Sequence, residues 1–236
     1  MDQYVTSEKG RLEHTLGREA ASDQYTGGTL FVDLATRKIY VRHQSSPSVL
    51  ETIKSKQMFE RAARADGVLV QTYCSDNGIF TAKEFMMELE EKGQGLRLSG
   101  VGAHHQNGVA ERAIRTVTTK ARTIMLHAML HWPEATTMDL WPLALSHAVH
   151  LYNCTPRVDC KLSPNEMFSS SLSNHHELLH SHPWGCPVYV LHPTLQDGKK
   201  LPKWQPRMRR AMYMGRSSAY ASTVGLVLNL TTGNIS

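Results

Sequence analysis

The chain has no CxxC pair among its four cysteines, which stand at 74, 154, 160 and 186, so a zinc ribbon is not expected. It has no segment resembling a signal peptide, and no apolar run nears the roughly 18 residues that span a bilayer. No membrane partner is expected, and the cysteines are expected to be reduced in a soluble, intracellular protein. An extreme charge is also missing. Lys and Arg number 26 against 21 Asp and Glu, a net +5 with 13 histidines counted neutral, and the pI is about 9.0. That excess suits a polyanionic partner without requiring one. With 41% hydrophobic and 20% charged residues, disorder is not the default. The 236 residues suffice for one full core and a small second unit. Both ends are abrupt, and the chain is expected to be a piece of something longer.

Residues 5–28 are polar and Gly-rich and read as a loop or irregular insertion. Residues 29–32 and 38–44 read as the strands of a hairpin, with Asp33 to Arg37 as its turn. Helical spacing covers 50–66, with Ile53, Phe59, Ala62 and Ala63 near one face, and Gly67 ends it. The apolar run 68–73 reads as a buried strand. A second helix spans 81–92 with Phe85, Met86 and Leu89 inward, closed by Gly93. A brief strand at 96–98 and a Gly-containing loop at 99–107 lead to a long helix over 108–131, stopped by Trp132-Pro133. Another helix runs over about 137–152, and 153–164 is irregular. Beyond Pro183, strand-like runs at 188–191, 211–214 and 224–228 suggest a β unit of about 50 residues. The order before it suggests an α/β layer fold compatible with an RNase H-like core.

Two carboxylates stand out by position. Asp76 follows a short apolar strand, and Glu111 lies in the first turn of the long helix, with 34 residues between them. Phosphoryl transfer on DNA uses two divalent cations about 3.5–4 Å apart, and such hard ions take carboxylate oxygens. Taken singly, each acid has a plain structural reading. Asp76-Asn77-Gly78 is a turn signal, and an acid near a helix start is favoured by the helix dipole.

Taken together, the flanking residues say more. Asp76-Asn77-Gly78 with Phe80 is followed by His104-His105-Gln106-Asn107-Gly108-Val109-Ala110-Glu111-Arg112 and Arg115. Downstream come Leu140-Trp141-Pro142-Leu143-Ala144, Tyr152-Asn153-Cys154-Thr155-Pro156, Ser163-Pro164-Asn165-Glu166 and Trp184-Gly185-Cys186-Pro187-Val188-Tyr189. Over nearly the whole chain this pattern resembles the integrases of Ty1/copia-type retrotransposons, within the DDE transposases and retroviral integrases. The resemblance implies an α/β fold: an RNase H-like core with a mixed five-stranded sheet flanked by helices over 1–165, a linker over 166–182, and a small SH3-like β unit over 183–236. It implies DNA 3′-end processing and strand transfer with two Mg²⁺ or Mn²⁺ ions. Element ends and target DNA would be the substrates, a homo-oligomer the acting form, and the nucleus the place of integration, reached from a cytoplasmic particle. A catalytically inactive DNA-binding remnant and an RNase H-type nuclease remain alternatives.

Asp76 and Glu111 would be two catalytic, metal-binding acids. The first acid is matched by Asp2, with Asp33 and Asp23 as alternatives; if it is Asp2, almost all of the first strand is expected to be missing. DNA contacts are expected from Asn107, Arg112, Arg115, Lys120 and Arg122 around the long helix. A lysine common two turns beyond the Glu in the family is Thr118 here. Lys203, Arg207, Arg209 and Arg210, in a basic run carrying Trp204, would add phosphate contacts and stacking. A solvated helix face and a plain basic loop are the blander readings of these two groups. His176-Glu177-Leu178-Leu179-His180 has the form HExxH, but His182-Pro183 would stop its helix, and a histidine-rich linker explains it better than a zinc protease.

Overall fold

The computed structural model describes residues 1–12, 24–100, 107–172, 176–179, 181–217 and 224–236. Asp23, His104 to Gln106 and His180 lie outside the described residues, as do the side chains of His176 and Glu177.

Three strands form an antiparallel sheet in the order β1 (Asp2–Gly10), β2 (Tyr25–Val32) and β3 (Ile39–Gln44). Among the described residues of 5–28, 5–10 and 25–28 are therefore strand, a correction to their reading as loop and to the expectation of a nearly absent first strand. Its hydropathy misleads because β1 is polar and largely unburied, DQYVTSEKG, and is held by pairing with β2 from Asp2–Leu30 to Val5–Gly27. Gly28 permits that pairing. A Cβ there would lie 2.3 Å from the Arg42 carbonyl oxygen and 2.5 Å from the Tyr4 hydroxyl. That hydroxyl bonds His43 Nδ1 at 2.7 Å, and His43 Nε2 meets Ser146 Oγ at 2.9 Å.

Helix α1 (Val49–Ala65) starts at Ser48, whose side chain accepts from the Glu51 amide. Its buried face is Thr52, Ser55, Lys56 and Ala63. Ile53, Phe59 and Ala62, read as inward, are only partly buried. A polar network explains the difference. Fully buried Lys56 lies 2.8 Å from Glu60, which also takes hydrogen bonds from Lys92, Gln94 and Tyr73. Burial opposes the Glu60 carboxylate, yet these donors hold its pKa down to about 2.

Strand β4 (Thr72–Ser75) lies parallel to β5 (Gly95–Leu98), with α2 (Lys83–Glu91) between them in sequence. The expected buried strand over 68–73 is displaced: the ladder begins at Thr72, and Leu69 is 69% exposed. Instead of one five-stranded ladder there are two, bridged where the Met1 nitrogen donates to the Cys74 carbonyl at 2.6 Å.

Helix α3 (Gly108–His131) matches its expected span, and α4 (Trp141–Cys154) follows a short 3-10 turn at Met138–Leu140. Two short helices come next, α5 (Pro164–Ser169) within the stretch beyond the expected irregular segment, and α6 (His176–Leu179). A three-stranded antiparallel sheet closes the chain: β6 (Pro187–Leu191), β7 (Met208–Arg216) and β8 (Gly225–Asn229). It shares one apolar cluster with the rest. Leu30 and Ile39 of the first sheet, Val117 and Met125 of α3, Leu143 and Ala148 of α4, Trp184, Met212 and Leu228 all belong to it.

The motifs that carry the resemblance turn out to hold this packing together. Asn153 accepts from the Ile39 amide at 2.9 Å and donates to its carbonyl at 2.6 Å. Ser163 and Glu166 form a reciprocal capping box that starts α5. Gly185, at φ 83°, accepts from the Trp132 indole at 2.7 Å. Replacing Asn153 by alanine strips two buried backbone groups of their partner and is expected to destabilise the fold by about 2–3 kcal/mol, read from the midpoint shift in urea unfolding.

Candidate active site

The three acids expected together come from three elements. Asp2 opens β1, Asp76 directly follows β4, and Glu111 stands in the first turn of α3. The bridge from Met1 to Cys74 sets the first two side by side. Asn107, the residue before α3, ties the third element in: its side chain is buried and donates to the Met1 carbonyl at 3.4 Å.

Their charges reach one another. Burial is the main cause lifting the Asp2 carboxyl to about 6, and the neighbouring Asp76 and Glu111 carboxylates add to it, while the hydrogen bond from the Gln3 amide and the terminal ammonium work against it. Asp33, weighed as an alternative first acid, sits elsewhere in function: its carboxylate accepts from the Thr36 amide and hydroxyl at 2.7 and 2.8 Å and caps the β2–β3 turn. The loop after Asp76 is pinned by Asn77, which donates to the Ser99 carbonyl at 3.0 Å, and by the Gly78 amide on Asp76 itself. Among the described residues, no three His, Cys, Asp or Glu side chains stand close enough to form a ready metal cluster. What the arrangement offers is three carboxylates, hard oxygen donors, on β1, after β4 and on α3, with the charges of Asp76 and Glu111 felt at Asp2.

The basic residues divide. Glu111, Arg115, Thr118 and Arg122 fall at i, i+4, i+7 and i+11 of α3, one exposed stripe leading away from the acids. Arg112 is exposed one step around the helix. Lys120 belongs to another face, with its ammonium 5.2 Å over the Tyr152 ring of α4. Asn107, expected at DNA, is spent on Met1. Between β6 and β7, Lys203 lies 5.3 Å over Trp204, which is 89% exposed, and Arg207 is exposed as well. Arg209 is partly buried opposite Val190, whereas Arg210 stacks 5.0 Å over Trp132 at the far end of α3. The Lys56–Glu60 network was missed from the sequence; its signal was a lysine in a heptad-like position among apolar neighbours.

No family model matches the chain. It is 28% identical over 185 residues to the retrovirus-related Pol polyprotein from transposon TNT 1-94 of Nicotiana tabacum, an alignment over 73% of this chain and 13% of that polyprotein. Among solved structures it is similar to a chain of the simian T-cell lymphotropic virus intasome in complex with PP2A regulatory subunit B56 gamma, with a TM-score of 0.51 and 15% identity over 93% of this chain and 73% of that one. That likeness is one of fold. The catalytic core domain of BIV integrase is a further neighbour, at TM-score 0.48 and 17% identity over 72% of this chain and 92% of that one. The chain spans only 13% of the length of its polyprotein relative.

The Asp2 carboxyl has a testable titration. Its folded value of about 6 lies above the ~3.9 of an unfolded aspartate, so the native state binds more proton between the two and this group's contribution to stability falls as pH rises through that window. Carbon-13 NMR of the carboxyl is expected to give a midpoint near 6, lowered in Asp76→Asn; a midpoint near 4 in the unmutated chain would place Asp2 in open solvent, away from the other acids.

Proposed function

We propose that this chain cuts and joins DNA as a retrotransposon integrase. What supports the reading is the order and setting of the acids, Asp2 at the start of β1, Asp76 directly after β4 and Glu111 in the first turn of α3, with the charges of the latter two reaching Asp2. Under this reading the mixed five-stranded sheet is completed through the Met1–Cys74 bridge, and residues 183–236 act as an SH3-like unit attached to a core over 1–165.

Asp2, Asp76 and Glu111 would hold two Mg²⁺ or Mn²⁺ ions. Such ions, when bound, polarise the attacking and leaving oxygens of a phosphodiester. The chain's own part is placement. Asn107 holds the Met1 carbonyl and so fixes where β1 presents Asp2. Asn77 anchors the loop that carries Asp76. Arg115 and Arg122, on the stripe running from Glu111, and Arg112 beside it are suited to DNA phosphates, and Lys203, Trp204, Arg207 and Arg210 to a more distant stretch of the same strand. In processing, water would attack the phosphorus and the bridging 3′ oxygen would leave with a proton. In strand transfer, a DNA 3′-hydroxyl would replace that water. No protein–DNA covalent link forms. DNA ends, target DNA and further copies of the chain are the proposed partners, with integration in the nucleus.

Strand transfer of a labelled DNA end into plasmid in Mn²⁺ tests this. Joining is expected, and Glu111→Gln should reduce it by about a hundredfold or more. Nicking without joining would favour the nuclease, and salt-sensitive binding without either would favour an inactive DNA-binding remnant. The basic residues have their own readout. Arg115→Ala and Arg207→Ala should each weaken DNA binding across all sequences and lower the slope of log affinity against log salt by about 1.

A further inference from the structure

Two imidazoles share one face at the end of α3 remote from the acids. His127 and His131 stand one helical turn apart, at i and i+4, and both are exposed. Their ring centroids are 5.0 Å apart, with the ring planes at 71°. That spacing has a chemical meaning. An ion about 2.0–2.1 Å from one nitrogen of each ring, bound at a tetrahedral angle, holds the ring centres about 5 Å apart. The helix fixes both backbones, and the rings already stand at the bite of a chelate. The pair also lines a cavity of about 970 Å³ between the end of α3 and the last sheet, together with Trp132, Trp184, Tyr189 and Arg210. Glu134 and Cys186 line it too, but among the described residues no third His, Cys, Asp or Glu completes the pair.

We propose that His127 and His131 form a bidentate site for a late first-row divalent ion, Cu²⁺, Ni²⁺ or Zn²⁺. The donor set selects the ion. Imidazole nitrogen suits these metals, whereas Mg²⁺ takes hard oxygen ligands, so the site is chemically distinct from the carboxylates of Asp2, Asp76 and Glu111. It is also remote from them. From Glu111 to His131 the helix makes about five and a half turns, roughly 30 Å. With two protein ligands, the remaining coordination positions take water or a donor atom of a guest in the cavity. An ion held by both rings closes the last turn of α3 into a ring. That turn leads directly into Trp132, whose indole donates to the Gly185 carbonyl and whose face carries Arg210. Binding therefore stiffens the joint between α3 and the last sheet. None of this depends on the integrase reading.

The probe is Cu²⁺ held by iminodiacetate, which leaves the ion adjacent positions for a pair of imidazoles. Added to the full chain with Mg²⁺ in excess, it should bind and show two coordinated imidazoles in pulsed EPR, and Zn²⁺ should displace it. His127→Ala and His131→Ala should each lose the two-imidazole signal while keeping the circular dichroism of the parent chain. Replacing His176 and His180 together by alanine, a pair at the same spacing in the sequence, should leave the signal intact. Zn²⁺ should raise Tm more in the parent chain than in His131→Ala. A signal kept in both α3 variants, or lost only with the 176 and 180 pair, would overturn the proposal. Absence of binding, or one coordinated imidazole in the parent chain, would also overturn it and leave an edge-to-face ring pair. No DNA enters these measurements, so loss of joining activity and failure of this site are separately visible.

Discussion

The site depends on one backbone contact, the hydrogen bond from Met1 to Cys74. A parallel strand next to an antiparallel hairpin needs a shared neighbour, and here that neighbour is the first residue of the chain. Two structural elements lean on it: the two ladders meet there, and Asn107 closes α3 onto the same residue. With that contact made, three acids that are far apart in sequence lie within range of one another's charge. Beside it, Phe31 of β2 and Tyr73 of β4 pack edge to face, their ring centroids 6.2 Å apart.

The second organising element is the pair α3 and α4, which face the first sheet with one side and the last sheet with another. Leu30, Val117, Leu143 and Met212 come from four different elements and share one apolar cluster. A unit that reads in sequence as an appended β module is thus packed directly on the helix that carries Glu111. Arg210 over Trp132 marks the contact on the surface.

Much of this was legible because periodic apolar patterns and punctuation agree. The span of α3 follows from its spacing and from Trp132-Pro133, and the β2–β3 hairpin from Asp33, whose turn-capping carboxylate is a local property. Asp76 after its strand and Glu111 in the first turn of its helix stand where the flanking residues set them. What stayed hidden was set by tertiary context. Strand β1 carries almost no apolar pattern, since its pairing with β2 rather than burial keeps it extended. On α1, Ile53, Phe59 and Ala63 pack inward as their spacing suggests, while the burial of Lys56 and Ser55 stayed hidden because their partners come from α2, β4 and β3. The strand at 68–73 was misplaced because burial of that run needs a neighbour on its open side. Asn107 could not be told from a ligand-contacting residue, as its partner is 106 positions away.

Asn153 has a consequence beyond the interior. Strand β3 is the outer strand of its sheet, and an outer strand offers its backbone to any extended chain that drifts past. The Asn153 side-chain amide occupies both the donor and the acceptor of Ile39, as the peptide group of a neighbouring strand would. A helix residue thereby plugs the sheet's margin with a surrogate peptide bond. The Asn153 side chain thus acts as a guard against edge-to-edge association at β3.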